Sequence, residues 1–89
     1  MGKKDKLYQR VRNNQNNVHF QDFCTLMTYF AFVLVRVSGS HHLYQHPGID
    51  EVMNVQPRKD GLAKAYQVRQ FLKLVKSHEL QFEDADDGE

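Results

Sequence analysis

Hydrophobic residues recur along the chain with two different periods, and the change of period divides the sequence into elements. Over residues 20–30, apolar side chains return at every third or fourth position, the spacing that aligns them on one face of a helix. These residues are Phe20, Phe23, Cys24, Met27 and Phe30. From residue 32 the pattern becomes β-branched and alternating, which predicts a strand over 32–37. Residues 42–46 then form its hairpin partner across a turn at 38–40.

The same patterns predict the remaining elements of the chain. Residues 52–56 predict a third strand that ends at Pro57, and helical spacing returns over 65–78 with Val68, Phe71, Leu72 and Val75 on one face. Before the first of these elements, residues 4–12 predict a short amphipathic helix, and an Asn-rich linker follows at 13–17. Asn17 or a near neighbour is the predicted N-cap of the next helix.

This order predicts an α+β fold, a two-layer α-β-β-β-α domain with a short additional N-terminal helix. Three antiparallel strands form the sheet, and both later helices cover one face of it and leave the other face for a partner. The chain divides into an N-terminal helix and linker over 1–19, a main domain over 20–80 and an acidic disordered tail over 81–89.

Composition limits the class of protein. A chain of 89 residues with 40% hydrophobic residues supports one small core. No run approaches the roughly 18 apolar residues of a membrane span, and the start of the chain has no apolar signal-peptide stretch. Cys24 is the one cysteine, which fits a reducing compartment. We therefore expect a cytoplasmic protein with Cys24 as a core residue.

Charge is distributed unevenly. Six acids lie in residues 79–89, whereas residues 1–78 hold all 12 Lys and Arg against five acids, a net charge of +7. Such an excess favours a polyanionic partner such as nucleic acid. Arg69, Lys73 and Lys76 form either a solvated helix face or a phosphate-binding surface. The tail is either a solvated end or an internal competitor for the basic surface.

A histidine cluster is the main candidate for chemistry. Three of the five histidines, His41, His42 and His46, fall within six residues, just after Gly39 lets the backbone turn. Imidazole exchanges protons near neutral pH, so a histidine on a tight turn suits acid-base catalysis. A metal site at His42 and His46 is disfavoured, because an extended strand separates them by roughly 13 Å.

The residues around this cluster resemble those of the HicA family of toxins, small ribonucleases of bacterial toxin-antitoxin modules with a fold like that of double-stranded RNA-binding domains. The resemblance covers roughly residues 20–80. It is carried by Arg36-x-x-Gly39-Ser40-His41-His42-Leu43-Tyr44-x-His46-Pro47 and by Pro57 with Tyr66-Gln67-Val68-Arg69-Gln70-Phe71-Leu72.

The resemblance implies a catalytic His41, cleavage of mRNA without a bound metal or other cofactor, and a HicB-type antitoxin as partner. His41 then acts as general acid or base while a ribose 2′-OH attacks the adjacent phosphorus, since one imidazole can serve either proton step. The residues predicted to contact RNA are Arg36, Gly39, Ser40, Tyr44, Arg58, Lys59 and Lys64. The four cations among them neutralise phosphate, Ser40 is a turn residue or a phosphate donor, and Tyr44 either stacks on an unpaired base or forms an exposed cross-strand pair.

Two positions depart from the family pattern. Ala31 stands where the family usually has a left-handed Gly, and Arg58 and Lys59 follow Pro57 where members often carry a second His. Strand alternation also separates His41, Leu43 and Gln45 from His42, Tyr44 and His46. If Leu43 packs beneath the helices, His41 points inward with it unless the turn rotates it to the edge. A non-catalytic RNA-binding module with the same fold is therefore the alternative function.

Overall fold

The computed structural model describes residues 2–82. This part of the chain contains three helices and three strands in the order that the sequence predicts. The helices are α1 (Lys3–Asn13), α2 (Phe20–Tyr29) and α3 (Ala65–Ser77), and the strands are β1 (Val33–Ser38), β2 (His41–His46) and β3 (Ile49–Val55). The predicted α+β class and element order are confirmed. In this part of the chain no helix is long and apolar enough to cross a membrane.

The three strands form one antiparallel sheet in the order β1-β2-β3. The third strand begins three residues earlier than predicted, because the turn at Pro47 and Gly48 leads directly from His46 into Ile49. Tyr44 lies opposite Met53 and His42 lies opposite Val55. Tyr44, Met53 and Val55 are buried, so this face of the sheet packs on the helices.

The strand alternation is as predicted, but the inward set is the opposite one. Tyr44 is only 4% exposed, whereas Leu43 is half-buried on the other face of β2. The prediction that Leu43 packs beneath the helices is therefore wrong. Because His41 shares its face with Leu43, it lies on the open side of the sheet and is exposed.

Aromatic side chains from α2, from α3 and from the segment between α2 and β1 fill the centre of the core. The ring of Phe71 lies edge-on to Phe23 at 5.7 Å, Phe30 at 5.7 Å and Phe32 at 5.5 Å, measured between centroids. Such edge-to-face pairs add stability beyond the area that they bury. Phe71 thereby joins α3 to α2 and to the start of the sheet.

The terminal segments extend this core rather than standing apart from it. Val11 of α1 is buried in it, and the Tyr8 ring lies 5.1 Å from that of Phe30. On the C-terminal side Phe82 packs 4.8 Å from Phe30. The hydrophobic core therefore crosses the domain limits predicted at residues 20 and 80. The acidic residues predicted to form the tail after Phe82 lie outside the described residues.

The first turn of α2 begins within the predicted region. Its N-cap is His19, a near neighbour of Asn17, and no side-chain hydrogen bond caps it. The Phe20 N–H instead donates to the Gly61 carbonyl at 3.0 Å, so the loop before α3 satisfies this free helical donor. This bond also holds that loop against the start of α2.

Two helices end in the same motif, and in both the left-handed residue is not glycine. Ala31 has a φ of 72° after α2, and Glu79 has a φ of 52° after α3. The Phe32 N–H donates to the Met27 carbonyl while Ala31 donates to Thr28, the paired bonds of a Schellman cap. Leu80 and Glu79 repeat this pattern on Val75 and Lys76. Ala31 therefore adopts the left-handed conformation that glycine usually supplies at such a helix end.

We predict that Ala31→Gly stabilises the protein. The left-handed conformation costs an L-residue about 1–2 kcal/mol, and the extra backbone entropy of an unfolded glycine offsets about 0.5–1 kcal/mol of the relief. The free energy of unfolding in urea should rise by about 0.5–1 kcal/mol. Ala65→Gly is the matched control, since Ala65 is right-handed in α3 and should lose stability. An equal loss in both variants would contradict the prediction.

Candidate active site beside the first residue of the second strand

The turn between β1 and β2 places His41. Ser38 pairs with His41, so Gly39 and Ser40 form a two-residue hairpin turn in which only Gly39, at 61°, has a positive φ. This pattern is that of a type II′ turn, which requires glycine at its first position. The His42 ring supports the turn from the helix side, because its Nδ1–H donates to the Ser40 carbonyl at 3.0 Å and the ring packs 5.0 Å from that of Phe20.

A hydrogen bond to Asn54 orients the His41 imidazole. Nδ1 of His41 lies 3.2 Å from Oδ1 of Asn54, which faces the same side of the sheet on β3. An amide oxygen only accepts hydrogen bonds, so Nδ1 carries the proton of the neutral ring. Nε2 then holds the lone pair at the exposed end of the side chain. This tautomer is the one that a general base needs.

His41 opens onto a cleft between the sheet and the start of α3, with a volume of about 320 Å³. The sheet contributes His41, Val52, Asn54 and Gln56. The first two turns of α3 contribute Tyr66, Gln67 and Gln70. None of these lining residues is a Lys, Arg, Asp or Glu. The cleft therefore offers hydrogen-bonding groups and a tyrosine ring around one imidazole.

Gln67 holds the two walls of the cleft together. It is 5% exposed, and its Oε1 accepts from the Gln56 N–H at 3.1 Å. Its Nε2 donates to the Asn54 carbonyl and to the Tyr66 hydroxyl, both at 3.2 Å. One buried amide thus fixes the backbone that carries Asn54 and the side chain of Tyr66. Gln67 enters the sequence prediction only within the motif that carries the resemblance and has no predicted role there, although a glutamine on the apolar side of a helical pattern was an available signal.

The cations predicted to contact RNA lie near one end of the sheet. Arg36 is exposed on β1 opposite Leu43, which places it on the face that carries His41. Arg58, Lys59 and Lys64 lie in the loop from β3 to α3, which begins at the end of β3 nearest His41.

Acidic side chains are distributed differently from these cations, and one of them forms an ion pair with a cation. Arg58 is paired with Asp60, at 2.7 Å between Nη2 and Oδ2, and Asp60 also accepts from the Leu62 N–H at 3.1 Å. Asp50 and Glu51, by contrast, lie at the start of β3, the far end of the sheet. The sheet is therefore basic towards His41 and acidic away from it.

Tyr44 is not available to RNA in this structure. It is buried beneath α2, and its hydroxyl donates to the Cys24 thiol. Base stacking and an exposed cross-strand pair both need an accessible ring face, so both interpretations of Tyr44 are corrected. The accessible tyrosine of this region is Tyr66, which is 59% exposed and lines the cleft. Its place on the polar side of the predicted last helix was the signal for it.

The other two clustered histidines have structural contacts. Nδ1 of His46 accepts from the Gly48 N–H at 2.9 Å, and the ring packs 5.1 Å from that of Phe32, so His46 supports the turn that follows β2. Within residues 2–82 no three His, Cys, Asp or Glu side chains come together as metal ligands.

A larger groove, of about 650 Å³, lies between α1 and the C-terminal half of α3. It is lined by side chains such as Arg12, Leu72 and Lys76 and contains no histidine. Because it opens at the other end of α3, it is separate from the His41 cleft.

A comparison with known protein families identifies the family of this chain. The family model described as the HicA toxin of bacterial toxin-antitoxin systems matches residues 20–76. The chain belongs to the HicA toxin family. It is therefore the toxin of a toxin-antitoxin module, and its partner is an antitoxin. No curated protein and no solved structure matched the chain.

The HicA match covers α2, the three strands and nearly all of α3, and so includes every residue that lines the His41 cleft. α1 and the packed residues Leu80 and Phe82 lie outside it. This HicA chain thus carries its site on the matched region and completes its core with segments beyond both limits of the match.

The hydrogen-bonded pair of half-buried Cys24 and buried Tyr44 predicts a loss of stability at alkaline pH. Burial raises the pKa of the Cys24 thiol, and burial together with the hydrogen bond to Cys24 raises the pKa of Tyr44. Both groups ionise more readily in the unfolded chain, so their contribution is complete below the unfolded pKa values of about 8.5 and 10 and declines above them. The free energy of unfolding should fall between neutral pH and pH 10.5.

Tyr44→Phe tests the origin of this loss. Its pH dependence above pH 9 should be shallower than that of the wild type, because one of the two groups is removed. Tyr29→Phe, which removes a half-buried tyrosine outside this pair, is the control and should leave the slope unchanged. Identical slopes in all three proteins would contradict the assignment.

Proposed function

We propose that this HicA toxin is a metal-independent endoribonuclease that cleaves mRNA with His41 as its general acid-base group. The observation that carries the proposal is the hydrogen bond between His41 Nδ1 and Asn54 Oδ1, which in the neutral ring leaves the lone pair on Nε2, beside the cleft that His41 lines. RNA contains its own nucleophile, so a single oriented base next to a backbone-binding surface is sufficient to begin the reaction.

The proposed reaction is an internal transfer at phosphorus. Nε2 of His41 takes the proton of a ribose 2′-OH, and the 2′-oxygen attacks the adjacent phosphorus. The bond from phosphorus to the 5′-oxygen breaks, and that oxygen is protonated as it leaves. The products are a 2′,3′-cyclic phosphate and a 5′-OH, so no water is consumed and no external nucleophile is needed.

The second proton transfer has no second histidine in the cleft. The family position after Pro57 is filled by Arg58 and Lys59, and His42 and His46 face the helices. Water that enters the open cleft therefore protonates the leaving oxygen in this proposal. A HicA member with two imidazoles would have an advantage in this step, and we expect this chain to be a slow ribonuclease.

Cations around the cleft stabilise the charge that develops on the phosphorane oxygens. Arg36, Lys59 and Lys64 have no ion-pair partner within residues 2–82, whereas Arg58 is held by Asp60. We assign the first three to the RNA backbone and give Arg58 a smaller part. Gly39 and Ser40 contribute to RNA binding through the turn that they form. Ser40 is exposed there, and its hydroxyl can donate a hydrogen bond to a phosphate oxygen.

A non-catalytic RNA-binding module is the second candidate. Its support is the open sheet face itself, where Arg36 lies on the same side as His41. A binder of this kind would retain its RNA affinity without His41. The antitoxin, which we propose is of the HicB type, would cover the same cleft in either case.

Removal of the imidazole separates the two candidates. His41→Ala should lower the rate of RNA cleavage by about 10²–10⁴-fold, the usual contribution of a general base. Expression of the wild type in a bacterial host should arrest growth with loss of intact mRNA on northern blots, and His41→Ala should abolish both effects. His78→Ala, an exposed histidine at the far end of α3, is the matched control and should behave as the wild type.

The same experiment can refute the proposal. If wild type, His41→Ala and His78→Ala are all folded and all leave mRNA intact, the chain is a binder. In vitro, cleavage should persist in EDTA, and a substrate with a 2′-deoxyribose at the cut site should remain whole.

The role of Asn54 gives an independent prediction. Asn54→Leu removes the acceptor for His41 Nδ1–H, so the imidazole loses its fixed orientation and tautomer. We expect kcat to fall by about tenfold or more with little change in KM, because Asn54 acts on the base rather than on the bound RNA. Heteronuclear NMR of the His41 ring should show the Nδ1–H tautomer in the wild type and a mixture in the variant. Unchanged tautomer populations would contradict this role.

A further inference from the structure

The cleft beside His41 has a composition that phosphate binding does not explain. Phosphate sites in proteins use Arg, Lys or clustered backbone donors, and the lining residues include no Arg or Lys. They offer instead amides, a hydroxyl and the exposed ring of Tyr66. Amide edges and an accessible aromatic face are the groups that proteins use to hold unpaired RNA bases.

Hydrogen bonds in the cleft show which groups remain for a ligand. The Gln67 amide is fully engaged by Gln56, Asn54 and Tyr66. By contrast, no hydrogen bond within residues 2–82 engages the side-chain amide of Gln70, one turn further along the same face of α3. Gln67 therefore positions Tyr66, and Gln70 presents a free donor and a free acceptor beside it.

We propose that this cleft binds an unpaired adenine base of the RNA next to the bond that is cut, with Tyr66 stacked on the base and Gln70 reading its edge. The proposal rests on the assignment of RNA as the substrate and adds the base that the site selects. A glutamine amide pairs with the N6 donor and N7 acceptor of adenine. The same edge of guanine has two acceptors and is matched by Arg or Lys, which the cleft lacks.

The position of Tyr66 is fixed before RNA binds. Its hydroxyl accepts a hydrogen bond from the buried amide of Gln67, which also holds the end of β3. The ring therefore loses little conformational freedom when a base stacks on it. Since His41 lines the same cleft of about 320 Å³, a base held there lies beside the imidazole.

The first test measures binding without cleavage. Short 2′-O-methyl oligomers of A, G, C and U lack the 2′-OH nucleophile, so the intact wild-type protein can be titrated with each by fluorescence anisotropy. The A oligomer should bind tightest. Tyr66→Ala should weaken its binding by about fivefold or more, whereas Tyr66→Phe should weaken it less, because it keeps the stacking face and loses only the hydrogen bond to Gln67.

The second test exchanges the base preference. Gln70→Arg should shift the ratio of affinities from A towards G, because an arginine fork pairs with O6 and N7 of guanine. Gln9→Arg is the control, since it adds the same charge to an exposed position of α1 and should raise all four affinities together. Equal affinities for the four oligomers, or an affinity unchanged by Tyr66→Ala, would overturn the adenine site.

Parallel assays with ordinary RNA oligomers distinguish this proposal from the ribonuclease proposal. Adenine-selective binding without cleavage would support the base site and refute the ribonuclease. Cleavage without any base preference would support the ribonuclease and refute the base site.

Discussion

The buried side-chain amide of Gln67 is the interaction on which the geometry of the site depends. β3 is an edge strand, and beyond β2 no strand of the described chain pairs with its final residues. Gln67 takes the place of that missing neighbour, because its oxygen and nitrogen satisfy the Gln56 N–H and the Asn54 carbonyl. The strand end that carries Asn54 is therefore locked to α3. Asn54 in turn holds His41, and the same amide holds Tyr66.

A second constraint is the choice of face for β2. The turn at Gly39 and Ser40 and the pairing with β3 determine which alternate residues point towards the helices. Tyr44 fills that space and finds a partner for its hydroxyl in Cys24, so burial of its polar atom costs little. The smaller Leu43 is left on the open face. His41 is exposed as a consequence of this packing choice.

The candidate site was only partly predictable from the sequence. His41, the turn at Gly39 and the surrounding cations were identifiable because glycine, histidine and arginine at close spacing carry specific chemistry. Tyr44 was assigned to the wrong environment, because Leu43 and Tyr44 lie on opposite faces of the strand and either side chain is large and apolar enough to be buried. Periodicity alone cannot decide between two such faces. No role was predicted for Asn54, Gln67 or Gln70, because neutral amides are common on protein surfaces and their function depends on their hydrogen-bond partners.

The sequence by itself determined the order and type of the elements, since the hydrophobic period changes from helical to alternating and back at Pro, Gly and Asn positions. It also determined the separation of charge along the chain. Tertiary structure alone decided which face of β2 is buried, how α1 and Phe82 complete the core, and which polar groups surround His41. These features depend on side chains that are distant in sequence and compete for the same space and the same hydrogen-bond partners. Local sequence patterns do not show the outcome of that competition.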